Sequence, residues 1–253
     1  MLNTAREDVN AWLGHKLDHR YPIIYIDATH VLTRRDDAVS NEAYYTVLGV
    51  KEDRTCEVLT VVNFPTESAT NWKEVFEDLK ERGVGVIDLL VCDGLPGIEN
   101  VQADTFPKAD LLLCTVHLKR NIAGKVKPRD KKQVMEELKQ VCTPDQWEIS
   151  PEKAFEKFKE FIARWQKSYS VLKRYRHDRY RFYFTYFKYE REIRGMIYTT
   201  NWIERLNRDY KRGINMRGAM PPRAVILLMG TVAQNSDIYK YPIYNFLESR
   251  LFY

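Results

Sequence analysis

Tyr21-Pro22-Ile23-Ile24-Tyr25-Ile26-Asp27-Ala28-Thr29-His30-Val31-Leu32 decides the fold. A run so rich in β-branched and aromatic residues reads as a buried strand, and Asp27 interrupts it with a charge. A carboxylate just past buried strand residues is held rigidly while its charge still reaches solvent, as a metal ligand requires. The plainer alternative is an acidic residue that caps an element end. Outward from this stretch, 42–50 and 56–64 read as two more strands across the polar turns Asp36-Asp37 and Glu52-Asp53-Arg54. Turns this short predict an antiparallel meander of three strands.

Residues 68–79 follow, with Trp72, Val75, Phe76 and Leu79 at helical spacing and Gly83 as a stop. Strands over 86–92 and 109–114 with a helix around 96–101 between them give the order βββαβαβ, an α/β arrangement expected for a ribonuclease-H-like mixed sheet. From about Asn121 only helical periodicity remains, as in 131–141 and in 151–166 with its stripe of Phe155, Phe158, Ile162 and Trp165. The expected layout is a leader at 1–20, the first part of a catalytic core at 21–120, an all-helical insertion at 121–196, helices completing the core at 197–236, and a tail at 237–253. The closing helices are predicted near 200–212 and, after Pro221-Pro222, near 223–234.

A chain of 253 residues, 44% hydrophobic and 30% charged, can bury one substantial core, which argues against disorder. Without an apolar stretch of membrane-spanning length or a signal peptide core, it reads as a soluble cytoplasmic protein. Cys56, Cys92, Cys114 and Cys142 are scattered singly and predict no disulfide. The net charge of +5, from 40 basic against 35 acidic residues, permits a polyanionic partner without requiring one.

Asp93 ends Leu89-Leu90-Val91-Cys92 as Asp27 ends its own run, and Glu204 lies on a predicted helix. There Ile203, Leu206 and Tyr210 share one face, and Asn201, Glu204, Arg208 and Lys211 another. Three acids in these settings can hold two divalent ions if the fold gathers them; a surface Glu204–Arg208 pair is the simpler reading of the helix alone. Cys114 and His117 form a C-x-x-H pair, yet no second pair lies at zinc-ligand spacing. The 173–184 stretch interleaves cations with aromatics, which suits either phosphate and base contacts or an amphipathic helix with its aromatics in the core.

Tyr25-Ile26-Asp27-Ala28-Thr29, Val91-Cys92-Asp93-Gly94, Cys114-Thr115-Val116-His117-Leu118-Lys119-Arg120-Asn121 and Tyr198-Thr199-Thr200-Asn201-Trp202-Ile203-Glu204-Arg205-Leu206-Asn207 together resemble the catalytic domain of Mutator-type bacterial insertion-sequence transposases. The resemblance runs in order from about Leu17 to about Gly230 and implies a DDE triad of Asp27, Asp93 and Glu204. It implies two Mg²⁺ ions per active site, with Mn²⁺ as a substitute, cleavage at transposon ends, and attack of the freed 3′-hydroxyl on target DNA. Double-stranded DNA is then the partner, in a homo-oligomer on the bacterial nucleoid. His117, Lys119, Arg120, Asn201, Arg208, Lys211 and Arg212 are the expected DNA contacts. Members of that family carry a helical DNA-recognition region ahead of the first aspartate, whereas 26 residues precede Asp27 here. The leader is accordingly expected to be a remnant of such a region. Two other readings stand beside this one: a ribonuclease-H-like nuclease that cuts without joining, and an inactive or interfering fragment that binds only DNA or a full-length partner.

Overall fold

The structure, a computed structural model, describes residues 2–64, 68–144, 149–198 and 201–235, without the side chains of 2–6, 8, 196, 201 and 202. In chain order the elements are α1 (Leu2–Leu13), β1 (Arg20–Arg35), β2 (Ala38–Val50), β3 (Cys56–Asn63), α2 (Ala69–Glu81), β4 (Val86–Cys92), α3 (Ile98–Thr105) and β5 (Asp110–Leu113). After these come α4 (Thr115–Ala123), α5 (Pro128–Val141), α6 (Pro151–Trp165), two 3-10 helices (Ser170–Arg176 and Asp178–Lys188), α7 (Arg191–Ile197), α8 (Asn201–Asn215) and α9 (Pro222–Gln234). The five strands form one sheet in the order β3-β2-β1-β4-β5. β1, β2 and β3 pair antiparallel, as the short turns predict. The N–H groups of Gly85 and Val86 both donate to the His19 carbonyl, at 2.8 and 3.0 Å. β1 and β4 therefore start side by side and run in the same direction, which makes the sheet mixed.

The first hairpin is longer than its apolar residues alone suggest, because β1 and β2 pair as far as Arg35↔Ala38 across the two-residue turn Asp36-Asp37. Asp36 adopts φ 50, in the left-handed region that aspartate tolerates and tight hairpins need. Beyond the core the ladder is tied by Arg35, whose guanidinium donates to both Glu42 carboxylate oxygens at 2.8 and 2.9 Å. That pairing holds the Glu42 carboxyl below its ordinary range. A carboxyl depressed on folding stabilises fully above its unfolded pKa, and the contribution fades as pH falls through the folded value. Thermal melts of Glu42→Gln should therefore approach those of wild type only at acid pH, with the gap opening as pH rises through the depressed folded value and complete above roughly 4 to 5.

Among the described residues the chain divides into two compact units, the first comprising 2–90, 95–109 and 201–235, the second 91–94 and 110–198. In the first, β1 lies inside the sheet, and Tyr21 to Asp27 are buried without a break. Tyr45 of β2 meets the Trp72 ring of α2 edge-on at 5.0 Å. The next residue, Thr46, faces Tyr210 of α8. Adjacent strand residues point to opposite faces, so α2 covers one face of the meander and α8 the other. α2 starts where the Ser68 hydroxyl accepts the Asn71 N–H at 3.3 Å. It stops at Gly83, whose φ of 120 no residue with a Cβ adopts easily and where a Cβ would stand 2.9 Å from the Leu17 carbonyl oxygen.

In the second unit, α6 begins at Ser150-Pro151, with the serine hydroxyl capping Lys153 N–H, and buries Phe155, Phe158, Phe161 and Ile162. Phe158 and Phe155 pack on Phe184 with ring centroids 5.4 and 6.2 Å apart. The stretch 173–184 is not an α-helix but lies in the two 3-10 helices. Tyr175, Tyr183 and Phe184 are buried, while Lys173, Arg174, Arg176 and Arg181 face water. Those three rings serve packing and are withdrawn from any stacking on bases.

Candidate active site

Asp27 lies in the middle of β1, opposite Thr46 of β2 in the antiparallel register, and is 7% exposed. Its face of β1 also carries Tyr25 and Thr29, one residue in two. α8 covers this face through residues a turn apart: the Asn207 Nδ2 donates to Asp27 Oδ2 at 2.8 Å, and the Tyr210 phenol meets the Thr46 hydroxyl. Burial pushes the Tyr210 pKa up, with the Thr46 hydroxyl opposing. An ionised carboxylate only accepts hydrogen bonds, so the chemistry fixes which way the Asn207 amide points. Its Oδ1 is then left buried without a hydrogen-bond partner, and the hydroxyl oxygen of Thr29, two residues on from Asp27 along β1, is buried and unsatisfied as well. Leaving a buried polar atom unpaired costs about 1–3 kcal/mol, so two such oxygens beside one carboxylate suit an occupant that donates to them.

Glu204 is half-buried and lies three residues before Asn207 on α8. Side chains at i and i+3 are neighbours on a helix, so the face of α8 that reaches Asp27 carries Glu204 one turn earlier. Sequence periodicity assigned Glu204 to the polar side of this helix but did not single out Asn207, which is 180 residues from its carboxylate partner.

Asp93, in the second unit, directly follows β4 and is half-buried, with its Oδ1 accepting the Gly94 N–H at 2.7 Å. Its surroundings include tyrosines of both 3-10 helices. A Cβ on Gly94 would stand 3.5 Å from the Tyr183 hydroxyl oxygen, and burial followed by the Asp93 charge pushes the Tyr183 pKa well up. Tyr175 is raised by burial, with a smaller part from the same charge. Tyr183 stacks on Tyr180 with ring planes 6° apart. Tyr175 and Tyr183 thus lie near enough to Asp93 to feel its charge, and spacing along the chain gives no sign of them.

Cys114 is buried and precedes α4, its N–H donating to the Cys92 carbonyl at 2.8 Å, which joins the ends of β5 and β4. His117 is half-buried in the first turns of α4. Thr115 anchors that helix through its hydroxyl, which donates to the Tyr198 carbonyl at 2.9 Å. Lys119 lies 5.6 Å from the centroid of the Tyr198 ring, and Arg120 is exposed. On α8, Arg208, Lys211 and Arg212 are exposed together, with Arg212 3.3 Å from Asp209. The Asn201 side chain lies outside the described residues. Among the described residues no three His, Cys, Asp or Glu side chains form a group that would hold a metal ion by themselves. None of the described helices is long and apolar enough to cross a membrane.

Fold and site define a mixed α/β protein that presents acidic residues within or directly after the inner strands β1 and β4 and on a late helix packed against β1. The family described as "Transposase, Mutator family" matches residues 1–241, and the chain belongs to it. The transposase for insertion sequence element IS1201 of Lactobacillus helveticus is 32% identical over 84% of this chain and 56% of its own length. The transposase for ISRM3 of Rhizobium meliloti is 31% identical over 93% of this chain and 58% of its own. The chain thus spans a little over half the length of these relatives. A Drosophila P element transposase strand transfer complex gives a TM-score of 0.33 at 10% identity, covering 92% of this chain and 71% of its own, a likeness too slight to support argument.

Proposed function

We propose that this chain is the catalytic domain of a DDE transposase, with a ribonuclease-H-like core interrupted by a helical insertion, in which Asp27, Asp93 and Glu204 share two Mg²⁺ ions. The observation that carries the reading is the family match, which runs through all three carboxylates. The donor set fits a hard cation, because carboxylate oxygens are what Mg²⁺ selects, and the Asn207 amide that holds Asp27 keeps a buried, unpartnered oxygen. Mg²⁺ is commonly held by one or two carboxylates together with substrate phosphates, so DNA supplies the oxygens that the protein does not. When bound, the ions lower the pKa of the attacking water or 3′-hydroxyl and stabilise the leaving oxygen.

The remaining work falls to the chain itself. Asn207 orients Asp27, and Gly94 N–H turns the Asp93 carboxylate. His117, Lys119 and Arg120 on α4, with Asn201, Arg208, Lys211 and Arg212 on α8, hold the DNA strands. The α8 cations are exposed, as groups that reach phosphates must be. The salt slope of duplex binding should flatten in an Arg208→Ala, Lys211→Ala double variant, by about 0.9 for each phosphate no longer neutralised. An unchanged slope would remove α8 from the DNA interface.

The reaction is tested with labelled duplexes ending in a 3′-hydroxyl or a 3′-deoxy terminus, mixed with target plasmid and Mg²⁺. The expected result is joined product from the hydroxyl end alone. Plasmid cleavage without any joining would instead assign a nuclease.

A further inference from the structure

Asn207 is a polar side chain of α8 that touches Asp27 and retains an unused buried atom. Its Nδ2 donates to Asp27 Oδ2 at 2.8 Å, it is 7% exposed, and its Oδ1 has no hydrogen-bond partner. The hydroxyl oxygen of Thr29, two residues on from Asp27 along the same face of β1, is also buried and unpartnered. An amide that only fastened Asp27 in place would need neither an open acceptor nor an open hydroxyl beside it. Apolar residues would fill that space at lower cost. Buried acceptors left open beside a carboxylate suit water molecules fixed on two or more sides, and Mg²⁺ keeps several of its waters when protein binds it.

We propose that Asn207 is a positioning residue for a divalent cation at Asp27: its Nδ2 fixes the Asp27 carboxylate, and its Oδ1, with the Thr29 hydroxyl, accepts hydrogen bonds from the cation's hydration shell. This deepens the reading of Asp27 as a metal ligand and rests on it. Groups that orient a ligand in this way usually matter 10- to 100-fold in metal affinity without touching the metal. The amide is suited to the task where a second carboxylate would not be, because it steadies Asp27 without adding a repelling charge.

The test is Mn²⁺ binding to the full chain by titration calorimetry, with and without a DNA duplex, for wild type, Asp27→Asn, Asn207→Leu and Asn207→Ala. Circular dichroism and melting midpoints accompany each sample. Leucine nearly matches asparagine in shape and removes both polar atoms; alanine leaves room for water and serves if leucine disturbs the fold. The expected result is Mn²⁺ affinity lowered roughly 10- to 100-fold in a folded Asn207 variant. Cleavage should then recover toward the wild-type maximum at high Mn²⁺, because the ligand itself remains. Loss of binding in Asp27→Asn with unchanged affinity in both Asn207 variants would overturn this proposal alone and leave Asn207 a packing residue. Unchanged affinity in Asp27→Asn, or no Mn²⁺ binding by wild type in either condition, would overturn the metal reading of Asp27 and this proposal with it.

Discussion

Asp27→Asn is expected to lower Mg²⁺-dependent DNA cleavage by on the order of 10³-fold, the loss that follows from several kcal/mol of metal-borne charge stabilisation. The substitution is conservative in shape, and its amide oxygen can still accept from Asn207 Nδ2, which in the native chain donates to Asp27 Oδ2. Position 27 lies deep in β1 at 7% exposure, where a neutral amide is easier to bury than a carboxylate, so the fold should hold. What disappears is the negative charge that a hard cation needs. Circular dichroism and duplex affinity should therefore stay near wild type while nicking collapses. A variant that cleaves as fast as wild type would remove Asp27 from the triad, and one that fails to fold would make it structural.

Trp72→Ala should cost about 3–5 kcal/mol in chemical denaturation, the largest stability effect expected from one side chain in the first unit. Trp72 is fully buried on α2 and meets Tyr45 and Phe64 edge-on, with ring centroids 5.0 and 5.7 Å away and planes 82° and 78° apart. Truncation empties the place where α2 sits on the meander and leaves both rings facing a void. Trp72→Phe should recover more than half of the loss by refilling most of the volume. A Trp72→Ala loss below about 1 kcal/mol would mean that α2 is not held to the sheet through this side chain.

The strands were legible because their apolar runs end at turn residues. β4 matches its predicted range of 86–92, and the meander pairs as the short loops require. The helical segments α5 and α6 follow the same logic of spacing. The 3-10 helices were not legible. Their cations and aromatics recur at intervals that suit 3.0 or 3.6 residues per turn equally, and packing on α6 decides between them. The short helices α4 and α7, of nine and seven residues, hold too few apolar positions for periodicity to detect.

The candidate site divides the same way. Asp27 and Asp93 could be read because each follows an apolar run, and Glu204 because of the motif around it. Asn207 could not, since periodicity shows that a residue is near a polar face but not which strand it meets. Tyr183 was hidden for the same reason: its link to Asp93 is made by a 3-10 helix some ninety residues later in the chain.

The central claim, a metal-dependent DNA-cutting site that includes Asp93, is tested most directly by nicking of supercoiled plasmid. Wild type and Asp93→Asn, prepared identically, are each incubated with Mg²⁺, with Mn²⁺ and with chelator. The account predicts nicking by wild type with either metal, none with chelator, and none by the variant under any condition. Equal nicking by wild type and variant, or nicking that survives chelation, would contradict it.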